Sequence, residues 1–222
     1  MRISKLYSGK RRSGYIINNK WFLKVYHDTE KTTITYGLRN IFMSRMKREF
    51  VYSKKLHKLG IHTIEIVKFH EVKKFGILPT DLGYTKSRYI ENLTPLHLLV
   101  KCNNFKFLLN QAIEIIAKLH NARITHGDLS LSNFAVSNNQ KVYLLDLETA
   151  EFVFFRFLAC REIIRFIDDL IKELQSIKSN SEILNIANYT LSSYLQKVRI
   201  NKLYSKYLIR LFKNQVTKRI PK

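Results

Sequence analysis

The residue types most able to do chemistry in this chain lie between His126 and Asp146. A divalent cation needs oxygen ligands, and an attacking hydroxyl needs a carboxylate to orient it or take its proton. Asp128 supplies a carboxylate in the polar loop His126-Gly127-Asp128-Leu129-Ser130-Leu131-Ser132-Asn133, and Asn133 supplies a neutral oxygen five residues on. Asp146 follows the apolar run Val142-Tyr143-Leu144-Leu145, which reads as a strand that would present its carboxylate at the strand's end. Asp128, Asn133 and Asp146 are therefore expected to hold Mg²⁺ and aim a hydroxyl. An ordinary loop, with Asp128 and Asn133 making turn hydrogen bonds, is the plainer alternative.

The elements that must position these groups can be read from periodicity. Residues 3–8, 14–18 and Trp21–Tyr26 read as three strands of a meander, with a turn at Asn18-Asn19-Lys20. From Arg39 to Leu59 apolar residues recur at helical spacing and Gly60 is a good stop. Residues 64–70 and 74–78 read as strands, with a turn at Pro79-Thr80-Asp81 and a further short strand at Arg88–Glu91. Phe105 to Asn121 is a strong helix with Phe107, Leu108, Ala112, Ile115, Ile116 and Leu119 on one face. Phe134–Val136 and Val142–Leu145 form a hairpin, and the chain from about Phe157 to Val216 reads as helices. The expected fold class is α+β: a β-rich part with one helix, residues 1–91, then a mainly helical part, residues 92–222.

His126-Gly127-Asp128 with Asn133, a helix ending in Leu119-His120 before it, and a hairpin ending in Leu145-Asp146-Leu147 after it resemble the catalytic loop and metal-binding strand end of protein-kinase-like phosphotransferases. The resemblance runs from roughly Lys24 to Asp169 and implies a two-lobed fold. It implies that Asp128 is the catalytic base, that Asn133 and Asp146 are Mg²⁺ ligands, and that His126 scaffolds the loop. It also implies an upstream lysine on the third strand for the ATP phosphates, which Lys24 in Phe22-Leu23-Lys24-Val25-Tyr26 fits, and a glutamate on the next helix to pair with it. Glu49 is the one acidic residue between Glu30 and Glu65, so it is the expected partner. Asp168 or Asp169, on the helix that includes Arg165 to Leu170, stands where related small kinases carry a loop-bracing aspartate. A surface acidic pair is the competing reading.

The departures from that pattern are informative. There is no G-x-G-x-x-G; Gly9 and Gly14 instead bracket a loop rich in Lys and Arg. Gly127 stands where many protein kinases have Arg, Leu147-Glu148 follows Asp146, and no Ala-Pro-Glu comes after. A peptide platform is therefore not expected, which favours a sugar, small-molecule or lipid-linked acceptor.

Charge narrows the class of partner. The 222 residues carry 39 Lys and Arg against 17 Asp and Glu, a net charge of +22. No acid occurs before Asp28 or after Glu182, while basic residues accumulate from Lys197 to Lys222. Such an imbalance points to an anionic partner. With 45% apolar residues, 7 Gly and 3 Pro, a disordered or fibrous chain is excluded. Cys102 and Cys160 lack metal-ligand spacing and read as reduced thiols of a cytoplasmic protein. The basic N-terminus lacks an apolar core, so no secretory signal is expected.

The short chain, the His-Gly-Asp loop, the charge and the basic helical tail are similar to bacterial lipopolysaccharide core heptose kinases. That resemblance implies an ATP- and Mg²⁺-dependent phosphotransferase acting on an inner-core heptose, with an anionic glycolipid as substrate, at the inner face of the bacterial inner membrane. The stretch from Tyr194 to Leu211, with cations between apolar residues, is expected either to touch an anionic membrane surface or to pack on the helical part. An atypical RIO-like protein kinase and an aminoglycoside-type phosphotransferase keep the fold and change the acceptor. A non-catalytic nucleic-acid-binding protein is permitted by charge, but no aromatic-interleaved RNA-binding signature accompanies it, so nucleic acid is not the expected partner.

Overall fold

A computed structural model of the chain describes residues 2–9, 12–27, 43–74 and 78–220. The described residues fall into two compact units, Met1–Glu91 with Asp146–Thr149, and Asn92–Leu145 with Ala150–Lys222. Asp146–Thr149 thus joins the first unit although it lies late in the sequence.

The first unit is built on a five-stranded antiparallel sheet of order β1-β2-β3-β5-β4. Its strands are β1 (Ile3–Ser8), β2 (Arg12–Ile17), β3 (Trp21–Tyr26), β4 (Ile66–Lys74) and β5 (Leu78–Arg88). Asn18 and Asn19 both adopt φ 53° in the β2–β3 turn, a conformation asparagine tolerates better than most residues. Antiparallel register places Tyr7, Gly14, Lys24, Thr85 and Phe69 in one row across the sheet. Gly14 is required there, because a Cβ would collide with the rings of Tyr7 and Phe22.

Helix α1 (Arg45–Lys58) packs on this sheet through Met46, Glu49, Tyr52, Ser53 and Leu56, all buried. It begins later than its apolar spacing suggests. The Ser44 hydroxyl accepts from Lys47 N at 3.1 Å and ends the extended approach, so Met43 and Ser44 lie outside the helix; the expected turns from Arg39 to Phe42 fall outside the described residues. At the other end Gly60, at φ 68°, donates to His57 O and Ile61 donates to Leu56 O, a paired closure that satisfies the last carbonyls. The turn expected at Pro79–Asp81 is instead part of the long strand β5, paired to β4 through Lys73↔Pro79 and Lys74↔Leu78. The separate short strand expected at Arg88–Glu91 does not form: Arg88 is the last residue of β5, and residues 89–91 lie outside any strand.

The second unit is mainly helical, with α2 (Phe105–Asn121), α3 (Arg156–Cys160), α4 (Glu162–Leu174), α5 (Asn180–Lys197) and α6 (Lys202–Arg219). Leu108, Ala112, Ile116 and Leu119 of α2 are buried, whereas Phe107, expected on the same face, is exposed. β8 (Phe134–Val136) pairs β9 (Val142–Leu144) and β6 (Thr94–Pro95); β7 (Ile124–Thr125) pairs β10 (Glu151–Phe152). Ser179 and Glu182 close α5 with a reciprocal cap. The basic tail is two helices rather than one, because the chain leaves helical geometry from Val198 to Asn201; Tyr194 and Leu208 are buried and Leu203 is exposed. Among the described residues no helix is long and apolar enough to cross a membrane.

Candidate functional site

In the first unit Lys24, central in β3, is nearly buried, and its ammonium is enclosed by carboxylates. Lys24 Nζ lies 3.2 Å from Glu49 Oε1, 2.7 Å from Asp146 Oδ1 and 3.5 Å from Glu148 Oε2. Glu49 is held for this by two hydroxyls on its other oxygen: Tyr26 donates at 2.6 Å and Thr85 at 3.2 Å. The Lys24, Tyr26 and Thr85 positions follow from sheet register, since residues two apart on β3 share a face and Thr85 lies opposite Lys24. The sequence-predicted trio Lys24, Glu49 and Asp146 is thus brought together within this unit.

Two further groups complete the cluster and were not anticipated. Arg12 on β2 contacts Asp146 Oδ2 at 2.8 Å and Glu148 Oε2 at 3.3 Å. Glu148 stands two residues after Asp146, and Arg48 of α1 donates to its backbone carbonyl at 2.9 Å, which ties Asp146–Thr149 to the first unit. The basic β1–β2 segment was a sequence signal for a cation here, but nothing local singled out Arg12. Asp146 itself adopts φ 57°, the left-handed region that a β-carbon disfavours, as expected where a side chain's aim matters more than backbone comfort.

The electrostatics follow from burial and pairing. Burial by itself lowers the Lys24 pKa, but attraction to Glu49, Asp146 and Glu148 outweighs it and the ammonium stays charged well above its ordinary range. Burial likewise raises the Asp146 carboxyl, but Lys24 and Arg12 overcome it and hold Asp146 ionised far below the ordinary carboxylate range. An ionised carboxylate already gripped by two cations is a group that can exchange them for a metal. The side-chain oxygen Glu148 Oε2 is buried with no hydrogen-bond partner, within ion-pair reach of Lys24 and Arg12. These hard oxygen donors fit Mg²⁺, which takes one or two carboxylates plus substrate phosphates rather than a dedicated cage. Among the described residues no group of three or more His, Cys, Asp or Glu forms such a cage.

In the second unit the loop from His126 to Asn133 is fixed from behind by side chains remote in sequence. His126 Nε2 donates to Leu145 O at 2.8 Å, joining the loop to the residue that precedes Asp146. Glu162, at the start of α4, accepts from His126 N at 2.8 Å and from Gly127 N at 2.6 Å. Gly127 has φ 84°, so its backbone suits glycine, and Arg165 donates to its carbonyl at 3.0 Å. Leu129 and Leu131 are fully buried, between exposed Asp128 and exposed Ser132. Asp169 accepts from Leu131 N at 2.8 Å. Asp128 is exposed, and its carbonyl accepts from Asn133 Nδ2 at 2.6 Å. With its nitrogen committed in this way, the Asn133 side chain keeps one oxygen not used by this bond.

The two adjacent aspartates therefore differ in task. Asp169 braces the loop. Asp168 meets α6, where Arg219 Nε contacts it at 2.6 Å and Gln215 at 2.6 Å, and Lys172 one turn on in α4 contacts it at 2.8 Å. Burial opposes ionisation of Asp168, but these three partners hold its carboxyl well below the usual range.

Glu162 was missed by sequence reasoning, because a helix-start glutamate has no motif that names its target. Its carboxyl is also reached by His120 Nε2 at 3.4 Å, while His120 Nδ1 lies 2.7 Å from Tyr194 OH. Burial lowers the His120 pKa despite the pull of Glu162, so the ring is neutral. A carboxylate only accepts, so Nε2 carries the proton and Nδ1 accepts from Tyr194. For Glu162, burial raises the carboxyl but His120 and the two loop amides overcome it and lower the pKa from 4.5.

Both shifts act in the same direction with pH. His120 contributes stability that is full above 6.5 and lost as pH falls through its depressed folded value. Glu162 contributes stability that is full above 4.5 and lost as pH falls through its own. Thermal unfolding followed against pH is therefore expected to show a decline on acidification below about 6.5, steepening below about 4.5. Glu162→Gln should weaken the steeper component and cost roughly 1.5–3 kcal/mol at neutral pH, the range for hydrogen bonds to a charged acceptor. An unchanged pH profile in that variant would refute the clamp.

Comparison with known proteins decides the family. A family model described as lipopolysaccharide kinase (Kdo/WaaP) matches residues 8–156, well over half of the 222 residues. The chain belongs to the lipopolysaccharide kinase (Kdo/WaaP) family. The matched span contains Arg12, Lys24, Glu49, Asp128, Asn133, Asp146 and Glu148; Glu162 and Asp169 lie beyond it. No curated protein matches the chain. Among solved structures, WbdD with the kinase inhibitor LY294002 is similar over 100% of this chain and 46% of that one, at 13% identity and a TM-score of 0.58. The bifunctional kinase-methyltransferase WbdD is similar over 96% of this chain and 51% of its own, at 12% identity and a TM-score of 0.54. The chain spans about half the length of these structures. At such identity the likeness is one of fold, and that fold is the α+β protein-kinase-like one expected from the sequence.

Proposed function

We propose that this member of the lipopolysaccharide kinase family transfers the γ-phosphate of ATP to a sugar hydroxyl, and that the acceptor is an inner-core heptose of lipopolysaccharide. The observation that carries the reading is the buried Lys24 ammonium held between Glu49 and Asp146. Burying such an ion set costs solvation that a hydrophobic core would avoid, so its presence needs a functional reason. Contact with a polyphosphate is that reason, because Lys24 and Arg12 can exchange carboxylate for phosphate without leaving their strands.

In this reading Lys24 binds the ATP phosphates and Glu49 fixes its direction. Asp146 and Asn133 would each supply an oxygen to Mg²⁺, which would neutralise charge on the phosphates. Arg12, released from Asp146, adds positive charge at the phosphates in place of the backbone amides of a glycine-rich loop. Asp128 orients the acceptor hydroxyl and accepts its proton as the oxygen attacks phosphorus. His126, Glu162 and Asp169 keep the Asp128 backbone still. The barrier is lowered mainly by positioning and by charge neutralisation. The acceptor assignment draws on the family and on the net charge of +22. It implies work at the inner face of the inner membrane, where a lipid-linked acceptor is found.

The test is a mass comparison of lipopolysaccharide from cells with the gene, without it, and with the Asp128→Asn allele. Loss of one core phosphate in the last two is expected. An unchanged core mass would refute the heptose acceptor and turn attention to a small-molecule or protein acceptor.

A further inference from the structure

Large apolar side chains in the second unit are gathered on one face instead of being buried. Phe154 is 72% exposed, Phe155 54% and Leu203 74%, with Phe152, Leu158 and Tyr207 also exposed. They belong to the segment after Glu151 and to the first turns of α6. Phe154 packs edge-on against Phe155 at 4.9 Å, Phe155 stacks on Phe157 at 5.5 Å, and Phe157 stacks on Tyr204 at 4.4 Å. The face is preformed: Arg156 donates to Arg199 O at 2.7 Å and Val153 N donates to Arg123 O at 2.8 Å. Two adjoining hollows of about 510 and 230 Å³ share Phe157 and Tyr204. Their walls carry Arg123, Arg156, Arg161, Arg199, Lys206 and Arg210, and among the described residues lining them none is acidic.

We propose that this face docks the chain on an anionic phospholipid bilayer. Phe154, Phe155 and Leu203 enter the interface, and the surrounding Arg and Lys residues meet lipid phosphates. Exposed apolar clusters of this kind mark interaction surfaces, and aromatic groups ringed by cations match the polarity gradient at a lipid headgroup layer. Charge selects among occupants. A second copy would bring the same cations against themselves. A single nucleic-acid strand needs open ring faces for base stacking, whereas here Phe155, Phe157 and Tyr204 stack on one another and aliphatic Leu203 shares the hollow.

The face also adjoins the candidate catalytic loop within one unit. Phe152 pairs with Ile124 in the β7–β10 ladder, and β7 leads directly into His126-Gly127-Asp128. A chain seated by this face keeps Asp128 close to the membrane plane, where a lipid-linked sugar is presented. The surface differs from the tail from Tyr194 to Leu211, since residues from Arg199 to Arg210 are joined by a segment more than forty residues earlier. The purpose of docking rests on the proposed acceptor, but docking itself is measured without catalysis.

The experiment is sedimentation of the full chain with vesicles of phosphatidylcholine plus phosphatidylglycerol, and with vesicles of phosphatidylcholine alone. Strong binding only to the anionic vesicles is expected. The double variant Phe154→Ser/Phe155→Ser should weaken it by at least about 10-fold, from the apolar area withdrawn. Both positions are exposed, so the melting temperature should not change. Arg199→Gln/Arg210→Gln should weaken binding and flatten its salt dependence. Equal vesicle binding by wild type and the Phe variant would overturn the proposal. So would a dimer, or an oligonucleotide complex, that this variant abolishes while vesicle binding persists. Phosphate transfer to a delipidated, water-soluble acceptor should be the same in wild type and the Phe variant; its absence in both would refute the proposed acceptor and leave the vesicle result standing.

Discussion

Asp128→Asn abolishes phosphate transfer: the turnover number is expected to fall by roughly 10³-fold, within the range for a lost general base. The melting temperature should move by no more than a degree or two. The two parts of this expectation have separate causes. The Asp128 side chain is exposed, so its carboxylate contributes little to packing. What holds the loop is the backbone and its neighbours: Glu162 on the amides of His126 and Gly127, Asp169 on Leu131 N, and buried Leu129 and Leu131. The Asn133 amide bonds the Asp128 carbonyl, which every substitution retains. Asparagine keeps the shape of the side chain and removes its ability to accept a proton. Single-turnover transfer from labelled ATP, with circular dichroism of the same samples, measures both quantities. Wild-type turnover in a folded Asp128→Asn protein would remove Asp128 from the mechanism.

Lys24→Met has the opposite balance, with large effects on stability and on nucleotide binding together. The methionine fills much of the same volume but leaves Glu49, Asp146 and Glu148 facing one another with Arg12 as the remaining cation at Asp146 and Glu148. Breaking a buried ion set by removing one partner costs about 3–5 kcal/mol, because the other charges stay buried. The loss should be smaller near pH 5 than near pH 8, since carboxylates stripped of a cation take up protons more readily. ATP should no longer protect the variant against heating, and transfer should fall by at least about 10²-fold. Lys24→Arg is not expected to rescue either property, because a planar guanidinium does not fit a nearly buried site shaped for a compact ammonium. Thermal melts of the three proteins at two pH values, with and without Mg²⁺–ATP, check each statement. A Lys24→Met protein with wild-type stability and ATP protection would refute both the ion set and the phosphate role.

Much of the fold was legible in local pattern. Period-two segments gave β1, β2 and β3, apolar spacing gave α2, and the runs Phe134–Val136 and Val142–Leu145 gave the β8–β9 hairpin. Boundaries slipped where a single interaction overrode propensity. Ser44 caps α1 and delays its start, and Lys73 and Lys74 pair with the far strand, drawing Pro79 into β5 instead of a turn. Phe107 fits a helical face in sequence, but that face turned out to be wider than the core it meets.

The sequence by itself determined the loop from His126 to Asn133, the aspartate at the end of the following hairpin, the lysine on the third strand and the single glutamate available to it. Spacing alone reads the loop and the aspartate; the lysine and the glutamate follow from what the protein-kinase-like resemblance implies, with Glu49 the one acid available between Glu30 and Glu65. Only the tertiary structure decided that Arg12 and Glu148 join Lys24 and Asp146, that Glu162 holds the loop amides, that Asp169 braces while Asp168 anchors Arg219, and that the exposed aromatics share a face with the start of α6. The reason is physical. Arg12 and Asp146 are 134 residues apart in sequence and 2.8 Å apart in space. No periodicity relates such positions; which buried charge meets which partner is settled by the packing that brings their strands and helices together.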